Sequence, residues 1–412
     1  MRFLSSTPAT VVVISLVMLV GCGLSEKEPA AEKEDHGGSV NAVALERFVD
    51  SQLAELHIPG IAVAVVDETG VIYSAGHGWA DLAGGVPMTP ETIMNVASIS
   101  KTVTNLAVMQ LRDRGLLALD DDVNLYLPFP VRHPAFPEAE ITVRQLLTHT
   151  SGIRDGAAYG ASYACGDPAV SLETWVRGYL EAGGVYYEAD QNFLDTAPGE
   201  AHSYCNVGYG LLGYLIEVVS GVPFADYIQA NVFKPLRMLE SGWYLSDLDP
   251  NRHATPYTWV EAGNVLDNSL FAEGGGRVLE EPEFVPFCLY SFFNIPDGLV
   301  RTSVHDLSNF LIAHMRGGEF EGRQILAGST VEEILSSQLP ESMIGRDGFV
   351  QGLTWRRQSI GIGEVWGHGG ADPGVRTQMM FSPDRGRGVI LFANGSADLD
   401  PILERIFDEV LK

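Results

Sequence analysis

Ser98 and Lys101 stand three residues apart in the segment Ser98-Ile99-Ser100-Lys101. A serine hydroxyl becomes an effective nucleophile only when a neighbouring group takes its proton. At the start of a helix a spacing of three puts both side chains on one face, and a lysine kept neutral by partial burial can act as the base. Unpaired N–H groups at a helix start can also bind an oxyanion. The segment therefore predicts a nucleophilic serine, although taken alone it also fits a solvated lysine on a helix.

Two further motifs follow along the chain. Tyr204-Cys205-Asn206 is the one Tyr-x-Asn segment among fourteen tyrosines, and His368-Gly369-Gly370 follows Val365-Trp366, which are predicted to be in a strand. The order Ser-x-x-Lys, Tyr-x-Asn, Lys/His-x-Gly resembles that of the penicillin-binding protein and serine β-lactamase superfamily. The resemblance is closest to its class C β-lactamase-like branch, which includes D,D-peptidases, D-aminopeptidases and esterases of the β-lactamase fold.

The resemblance runs from about residue 40 to the C-terminus. Residues 146–152, 296–307 and 367–374 are also similar to segments typical of the family. A second His-Gly-Gly at 36–38 precedes the serine and lies in a predicted tether, so we set it aside.

The resemblance implies a role for each motif residue. Ser98 would attack a carbonyl and form an acyl-enzyme, Lys101 would accept its proton, and Tyr204 would pass a proton to the leaving group and help to activate the deacylating water. Asn206 would bind the substrate or Lys101 from the same side of an extended segment. His368 would lie beside Tyr204, the alternative being a strand-end histidine without a catalytic role.

The resemblance also implies a substrate-binding strand made of Gly369, Gly370 and Ala371, with the N–H groups of Ser98 and Ala371 as the oxyanion hole. β-Lactamases of this family carry Lys-Thr-Gly where this chain has His-Gly-Gly. The lysine charge and threonine hydroxyl hold a substrate carboxylate, so their loss predicts weak β-lactamase activity. We interpret His149, which is also typical of the family, as structural.

We therefore expect a serine hydrolase that acts through an acyl-serine intermediate on amide or ester substrates. One alternative is a carboxylesterase of the β-lactamase fold rather than a D,D-peptidase or β-lactamase, and another is a non-catalytic penicillin- or peptidoglycan-binding scaffold. The chain has no Gly-x-Ser-x-Gly segment, which argues against an α/β-hydrolase esterase.

Charge and composition limit the partners. The 412 residues include 53 acids and 26 bases, for a net charge of -27, which repels phosphate backbones and argues against nucleic-acid binding. The ten histidines and four cysteines show no metal-ligand spacing, so we expect neither a metal nor a cofactor. The expected partner is a small-molecule or peptide-like substrate, and we expect a monomer.

The N-terminus predicts export. Residues 1–22 combine a minimal positive start with an apolar run too short for a comfortable transmembrane helix. The run ends in Leu19-Val20-Gly21-Cys22, which resembles a bacterial lipobox, so lipidation of Cys22 is expected; an ordinary cleaved signal is the alternative. Residues 23–38 read as a flexible tether. The mature protein would be lipid-anchored to a bacterial membrane, on the outer membrane facing the periplasm if the host is Gram-negative.

The remaining chain, 39–412, is predicted to be one β-lactamase-related domain. Hydrophobic periodicity predicts strands at 61–66, 71–75, 363–366, 377–382 and 388–393, and helices at 40–57, 98–111, 143–147, 211–220, 224–233, 307–315 and 401–411. Strands at both ends with helices between them favour an α/β (α+β) fold, in which an antiparallel sheet built from both termini is flanked by helices. A mainly helical inserted subdomain would occupy about residues 116–305.

The number of cysteines gives a prediction about disulfide bonding. If Cys22 is lipidated, three cysteines remain in an oxidising compartment, which favours one disulfide and one buried thiol. The resemblance turns Tyr204 and Asn206 towards the site. Alternate residues of an extended segment face opposite ways, so Cys205 would point into the protein. A Cys165–Cys288 disulfide is then expected.

Overall fold

The computed structural model describes residues 42–272, 274–344, 348–361 and 363–410. The predicted signal peptide, the tether and Cys22 lie outside the described residues. The strands of the described part are β1 (Gly60–Asp67), β2 (Gly70–Asp81), β3 (Val86–Pro87), β4 (Met94–Asn95), β5 (Ala164–Cys165), β6 (Tyr257–Val260), β7 (Glu283–Pro286), β8 (Tyr290–Ser291), β9 (Arg301–Thr302), β10 (Glu319–Phe320), β11 (Arg323–Gln324), β12 (Val350–Gln351), β13 (Arg356–Ile360), β14 (Gly363–Asp372), β15 (Val375–Ser382) and β16 (Arg387–Ala393).

The α-helices of the same part of the chain alternate with these strands. They are α1 (Ala42–Glu55), α2 (Ser100–Asp113), α3 (Val143–Leu147), α4 (Ala157–Ala161), α5 (Leu172–Leu180), α6 (Ala189–Asn192), α7 (Val207–Ser220), α8 (Phe224–Ile228), α9 (Val304–Met315), α10 (Gly328–Ile334), α11 (Glu341–Ile344) and α12 (Asp400–Val410). Among the described residues no single helix is long and apolar enough to cross a membrane, although the pair Val207–Ser220 and Phe224–Phe233, bent by 76°, has the necessary length and composition.

An eight-stranded sheet joins the two ends of the chain in the order β12-β13-β14-β15-β16-β1-β2-β3. Its neighbouring strands pair antiparallel, and β1 from the N-terminal part lies directly beside β16 from the C-terminal part. This confirms the predicted fold class, a mixed helix and sheet structure around an antiparallel sheet built from both termini.

The β1 strand is buried on both faces, which explains its continuous apolar sequence. Ile61, Val63 and Val65 belong to the core cluster formed with α1 and α12. Ala62, Ala64 and Val66 face the opposite way, towards the cluster formed with α2 and α9. Because successive side chains of a strand point to opposite faces, this single strand connects both hydrophobic layers.

The α2 helix differs from its prediction. Its sequence indicated an amphipathic helix, but every residue from Ser100 to Leu111 is buried. A helix covered all round is typical of the centre of a large domain. The α2 helix contacts α7, α8 and the 3-10 segment Ile295–Asp297, so the residues at its N-terminus are held from several directions.

The middle of the chain is more mixed than the predicted helical insertion. It contains α3 to α8 but also β5 to β9, which form small antiparallel pairs: β4 with β9, β5 with β8, and β6 with β7. The stretch from Gly152 to His202, interpreted from sequence as a loop, contains α5, whose Ser171 side chain accepts the N–H of Thr174 and so caps its start. That Ser-x-x-Thr cap is a local signal that the sequence analysis missed.

Two local predictions have clear outcomes. Cys165 and Cys288 form a disulfide and Cys205 is a buried free thiol, which confirms the predicted pairing. The β14 strand, predicted to end at Trp366, continues to Asp372, so the His-Gly-Gly motif lies inside a strand and not after it. Its pairing with β13 stops at Gly367, whereas its pairing with β15 continues to Asp372, which leaves the motif at an open edge.

Candidate active site

Ser98 lies in a tight turn in front of α2. It is the middle residue of a short 3-10 segment, Ala97–Ile99, and its side chain is partly exposed. The preceding residue, Ala97, has φ of +48°, a conformation that costs an ordinary L-residue about 1–3 kcal/mol. The Ala97 N–H donates to Asn95 Oδ1 at 2.8 Å, which helps to hold the turn. The surrounding structure therefore fixes Ser98 on a strained turn facing a cavity.

Lys101 lies one helical turn beyond Ser98 and is completely buried. Its Nζ donates to Ser98 Oγ at 3.0 Å and to the backbone oxygen of Asp297 at 2.9 Å. The Asp297 carboxylate lies 3.6 Å from the same nitrogen. The three-residue spacing across the start of α2 thus brings the serine and lysine together. Asp297 lies in the 3-10 segment Ile295–Asp297, before β9.

Lys101 was expected to be neutral, but its surroundings favour the protonated form. Burial by itself would lower the pKa of Lys101, but its interactions with Tyr204, which include a side-chain hydrogen bond, and with the Asp297 carboxylate outweigh burial and raise that pKa. The expectation that burial leaves this lysine neutral is wrong. Burial also raises the pKa of Asp297 to about 6, against the opposing effect of Lys101. At neutral pH the site therefore contains an ammonium–carboxylate pair beside the serine.

Tyr204 faces the same ammonium group. Its ring centroid lies 4.9 Å from Lys101 Nζ, within the range of a cation–π contact. On its other side the ring packs against His149, with centroids 4.3 Å apart. His149 Nδ1 accepts the N–H of Cys205 at 3.1 Å, so this histidine holds the backbone next to Tyr204. The guanidinium of Arg356 lies 4.9 Å from the Tyr204 ring centroid.

Asn206 takes a different position from the one expected. It has helical backbone angles and stands at the N-terminus of α7, not in an extended segment. Its side-chain amide donates to Asp155 Oδ2 at 2.8 Å. Asp155 also accepts the backbone N–H groups of Asn206 and Val207, and the Cys205 thiol donates to it at 3.4 Å. Sequence reasoning missed Asp155, which closes the start of α7 and positions the whole Tyr-x-Asn motif.

His368 is neutral in this environment. Burial, Arg356 and Lys101 together lower its pKa to about 3. Its Nδ1 lies 2.6 Å from the carbonyl oxygen of Gly369, and since a carbonyl only accepts, Nδ1 carries the proton. Nε2 then presents a lone pair and has no hydrogen-bond partner. His368 therefore carries no positive charge near neutral pH.

The two glycines of the motif have different reasons to be glycine. A Cβ on Gly370 would lie 2.2 Å from Thr377 Oγ1 and 2.4 Å from the backbone oxygen of Val96, so any side chain would push β14 away from the serine turn. A Cβ on Gly369 would lie 3.0 Å from Oε1 of Gln378, the end of a flexible side chain. Position 370 therefore requires glycine, whereas position 369 can accept a small side chain.

Ser98, Tyr204 and the β14 residues 367–372 line one cavity of about 530 Å³. Asn206 reaches the same cavity, whose lining also contains residues that sequence reasoning did not assign: Tyr159, Tyr163, Phe292, Asp297 and Asp372. Asp297 and Asp372 lie in segments 296–307 and 367–374, and the similarity of these segments to the family is the one sequence signal that could have identified the two residues. In the described part of the chain, no group of three or more His, Cys, Asp or Glu side chains is placed to hold a metal ion.

Comparison with known proteins gives one family. The Beta-lactamase family model matches residues 45–408. Over 350 residues the chain is 27% identical to Penicillin-binding protein 4* of Bacillus subtilis, covering 84% of this chain and 71% of that protein. Over 225 residues it is 33% identical to Esterase EstB of Burkholderia gladioli, covering 52% of this chain and 54% of the esterase, so it matches about half of that relative's length.

A solved structure agrees with this family. The octameric penicillin-binding protein homologue from Pyrococcus abyssi superposes with a TM-score of 0.67 at 27% sequence identity, covering 89% of this chain and 76% of that one. The similarity thus extends over nearly all of the described fold, from the first helix to the last.

Proposed function

The chain belongs to the beta-lactamase family, and from that premise we propose that it is a serine hydrolase that cleaves amides or esters through an acyl-Ser98 intermediate. The observation that carries the proposal is the 3.0 Å hydrogen bond between Lys101 Nζ and Ser98 Oγ at the wall of an open cavity. A nucleophile and its proton-transfer partner within hydrogen-bond reach are what covalent catalysis requires.

The proton leaves Ser98 through Lys101 and Tyr204 acting together. A protonated Lys101 cannot accept a further proton, so it passes one of its own to the Tyr204 oxygen as it takes the proton of Ser98, and Tyr204 gives its hydroxyl proton to the leaving group. The side-chain hydrogen bond between Lys101 and Tyr204 supports this relay. The same path in reverse activates the water that removes the acyl group.

The backbone N–H groups of Ser98 and Ala371 are proposed as the oxyanion hole, which stabilises the negative oxygen of the tetrahedral intermediate. The close approach that Gly370 permits between β14 and the serine turn supports this assignment. Gly369 completes the strand edge along which the substrate lies. Asn206 and its partner Asp155 position Tyr204, and Asn206 reaches the substrate from the side of α7.

The motif disfavours a substrate carboxylate. His368 is neutral and Gly369 has no hydroxyl, so this strand offers neither the charge nor the hydrogen bond that such a carboxylate needs. We therefore propose that uncharged acyl donors such as short-chain esters are turned over better than β-lactams or D-Ala-D-Ala peptides. Arg376, which also lines the cavity, would be the group to supply the missing contact if this preference is wrong.

The test is covalent labelling. A fluorophosphonate probe should modify the intact protein once, on Ser98, as read by peptide mass spectrometry, and Ser98→Ala should be unlabelled and inactive on p-nitrophenyl butyrate. Ser100→Ala provides the matched control, because Ser100 is a buried serine whose hydroxyl accepts the N–H of Val300 away from the cavity. Labelling or near-normal ester turnover in Ser98→Ala would contradict the proposal.

We further propose that the mature chain is a lipoprotein anchored through Cys22 and exported to the periplasmic side of the membrane. The lipobox-like sequence before Cys22 and the polar stretch after it support this. The monomeric state is likewise a prediction from the sequence, which gel filtration with light scattering checks.

A further inference from the structure

One wall of the cavity combines aromatic rings with carboxyl groups. We call it the tyrosine–carboxyl wall and define it by Tyr159, Tyr163, Phe292, Asp297 and Asp372. Tyr159 donates its hydroxyl to Asp297 Oδ2, and Tyr163 donates to Asp372 Oδ1, each at 2.9 Å. The two tyrosine rings meet edge-to-face at 6.0 Å, and the Phe292 ring lies 4.5 Å from that of Tyr163.

The chemistry of this wall is that of a cation receptor. Aromatic faces attract a positive group, and a carboxylate attracts it further. Each phenol oxygen donates its hydrogen to the carboxyl behind it and keeps lone pairs that can accept an N–H from the cavity side. The wall therefore presents hydrogen-bond acceptors to any ligand in the cavity, and negative charge where Asp372 is ionised, above its pKa of about 7.

The wall is also close to the reacting centre. Asp372 Oδ2 accepts the side-chain amide of Asn95 at 3.1 Å, and Asn95 in turn accepts the N–H of Ala97, next to the nucleophile. Asp372 follows directly on Ala371, the proposed oxyanion donor. A group bound at Asp372 is therefore only a few bonds from a carbonyl that Ser98 attacks.

His368 gives a second and independent indication. Its side chain is only 4% exposed, it lines the same cavity, and its Nε2 is an acceptor with no partner. A buried acceptor left without a donor is costly, and a ligand N–H removes that cost. At the motif position where β-lactamases of this family carry a lysine, which is a donor, this chain presents an acceptor.

The cations of the cavity do not oppose this reading. The ammonium of Lys101 already donates to Ser98 and Asp297. Arg376 lies beside Asp372 but donates through Nη1 to the backbone oxygens of Asp372 and Val375. Arg356 belongs to β13, which pairs with β14, and its guanidinium stacks over the Tyr204 ring. The two cations nearest the wall, Lys101 and Arg376, are thus already hydrogen-bonded within the protein.

We propose that the tyrosine–carboxyl wall binds an ammonium group of the substrate, so that the preferred acyl donors are esters or amides carrying a free amine near the scissile carbonyl. This inference rests on the proposed acyl-serine function and narrows its substrate class. Asp372 is the principal carboxyl, because Asp297 already pairs with Lys101. The His368 lone pair accepts a second N–H of the substrate.

The experiment compares substrates of nearly equal shape and different charge. We would measure kcat/KM by proton release for alanine methyl ester, as each enantiomer, against methyl isobutyrate, in which a methyl replaces the amine. Monomethyl succinate provides a carboxylate. The expected ratio of the better alanine ester to the isobutyrate is about tenfold or more, the effect of one hydrogen bond to a charged group. In Asp372→Asn that ratio should fall by about the same factor.

Asp384→Asn is the matched control, since it makes the same change at an exposed carboxyl in the turn after β15, outside the lining of the cavity, and should leave the ratio unchanged. A ratio of one or below in the unmodified protein overturns the inference without needing any variant, and so does a preference for monomethyl succinate. Ser98-dependent hydrolysis of p-nitrophenyl butyrate in the same preparation would show that the proposed function survives that result. Loss of all Ser98-dependent hydrolysis would overturn both.

Discussion

Lys101 is the centre of the electrostatics at the scale of single residues. It holds the serine hydroxyl on one side and a carboxylate on the other, while the ring of Tyr204 covers its charge. The fixed ammonium of Lys101 therefore orients Ser98 and Asp297 before substrate binds. In the proposed mechanism, removing either half of the Lys101–Tyr204 pair leaves the Ser98 proton without a path.

Lys101→Ala and Tyr204→Phe should each lower kcat for p-nitrophenyl butyrate by roughly 10³-fold or more, because residues that act as one proton-transfer unit fail together. Steady-state kinetics on the purified variants provide the measurement, and the double variant should be little worse than either single one. Tyr209→Phe is the control. The ring centroid of Tyr209 also lies 5.5 Å from Lys101 Nζ, but the Tyr209 hydroxyl is hydrogen-bonded to Thr354. A loss in Tyr209→Phe equal to that in Tyr204→Phe would contradict the assigned role.

Gly369→Thr should shift preference towards substrates with a carboxylate. The new hydroxyl provides a donor worth about 1.5–3 kcal/mol to a charged acceptor, or roughly 10- to 100-fold in relative kcat/KM. The site tolerates the change because the nearest atom belongs to the flexible side chain of Gln378. Rates for monomethyl succinate and methyl isobutyrate give the ratio. Gly369→Val, equal in shape without the hydroxyl, should not reproduce the shift; if it does, packing and not hydrogen bonding is the cause.

At the scale of elements, the start of α7 and the end of β14 bring the motifs together. Asp155 joins the loop after α3 to α7 through several hydrogen bonds, and Asp372 joins the end of β14 to Asn95 and Tyr163. Both carboxyls therefore connect segments that are far apart in sequence. The contribution of each carboxyl can be measured as a change in the free energy of unfolding when it is substituted.

Asp155→Ala should destabilise the protein by about 2–3 kcal/mol, because the change removes a helix cap and leaves buried N–H groups without acceptors. Urea unfolding measures the free energy, and kcat should fall as well, since Tyr204 precedes the released helix start. Asp190→Ala, at an exposed position in α6, should stay within about 0.5 kcal/mol of the parent protein. Equal stabilities for the two variants would remove Asp155 from this role.

Asp372 should make stability depend on pH. Burial raises its pKa from 3.8 to about 7 in the folded protein. A raised carboxyl pKa means that the folded state binds more protons, so this contribution is complete below the unfolded pKa and is lost as pH rises through the folded one. Relative to Asp372→Asn, the parent protein should therefore be more stable at about pH 5 than at about pH 8. Asp384→Asn, in the exposed turn after β15, should show no such difference in urea unfolding.

At the scale of the whole molecule, residues from both ends of the chain form one sheet, and the cavity opens where its β14 edge meets the helical region. The described fold begins at Ala42, well after Cys22. An anchor at Cys22 would thus be separated from the catalytic part by residues predicted to form a tether.

Cys22→Ser should release the protein from the membrane fraction while leaving the specific activity of the released enzyme unchanged, because the predicted tether separates anchor and domain. Fractionation and metabolic palmitate labelling in a bacterial host provide the readouts. Cys205→Ser serves as the control, since Cys205 is a buried thiol inside the fold. Palmitate incorporation that persists in Cys22→Ser would contradict the lipobox interpretation.

Much of this arrangement was predictable from sequence. The order of three motifs indicated the family and its fold, and strands at both ends predicted the sheet. The cysteine pairing was also predicted correctly, although the extended segment assumed for it does not include Asn206, which is helical. These features depend on residue types and short spacings, which local physics controls. The extent of β14, the helical position of Asn206 and the cap by Asp155 were missed, because each depends on pairing with segments distant along the chain.

The sequence by itself determined which residues can do chemistry, since Ser98 and Lys101 share a helix face by spacing alone. Only the tertiary structure decided their charge. The pKa of Lys101 is raised because Tyr204 and Asp297, the latter 196 residues away in sequence, lie against it, and His368 is neutral because burial and two nearby cations oppose its protonation. A pKa depends on burial and on every charge nearby in space, and neither is readable from the order of residues.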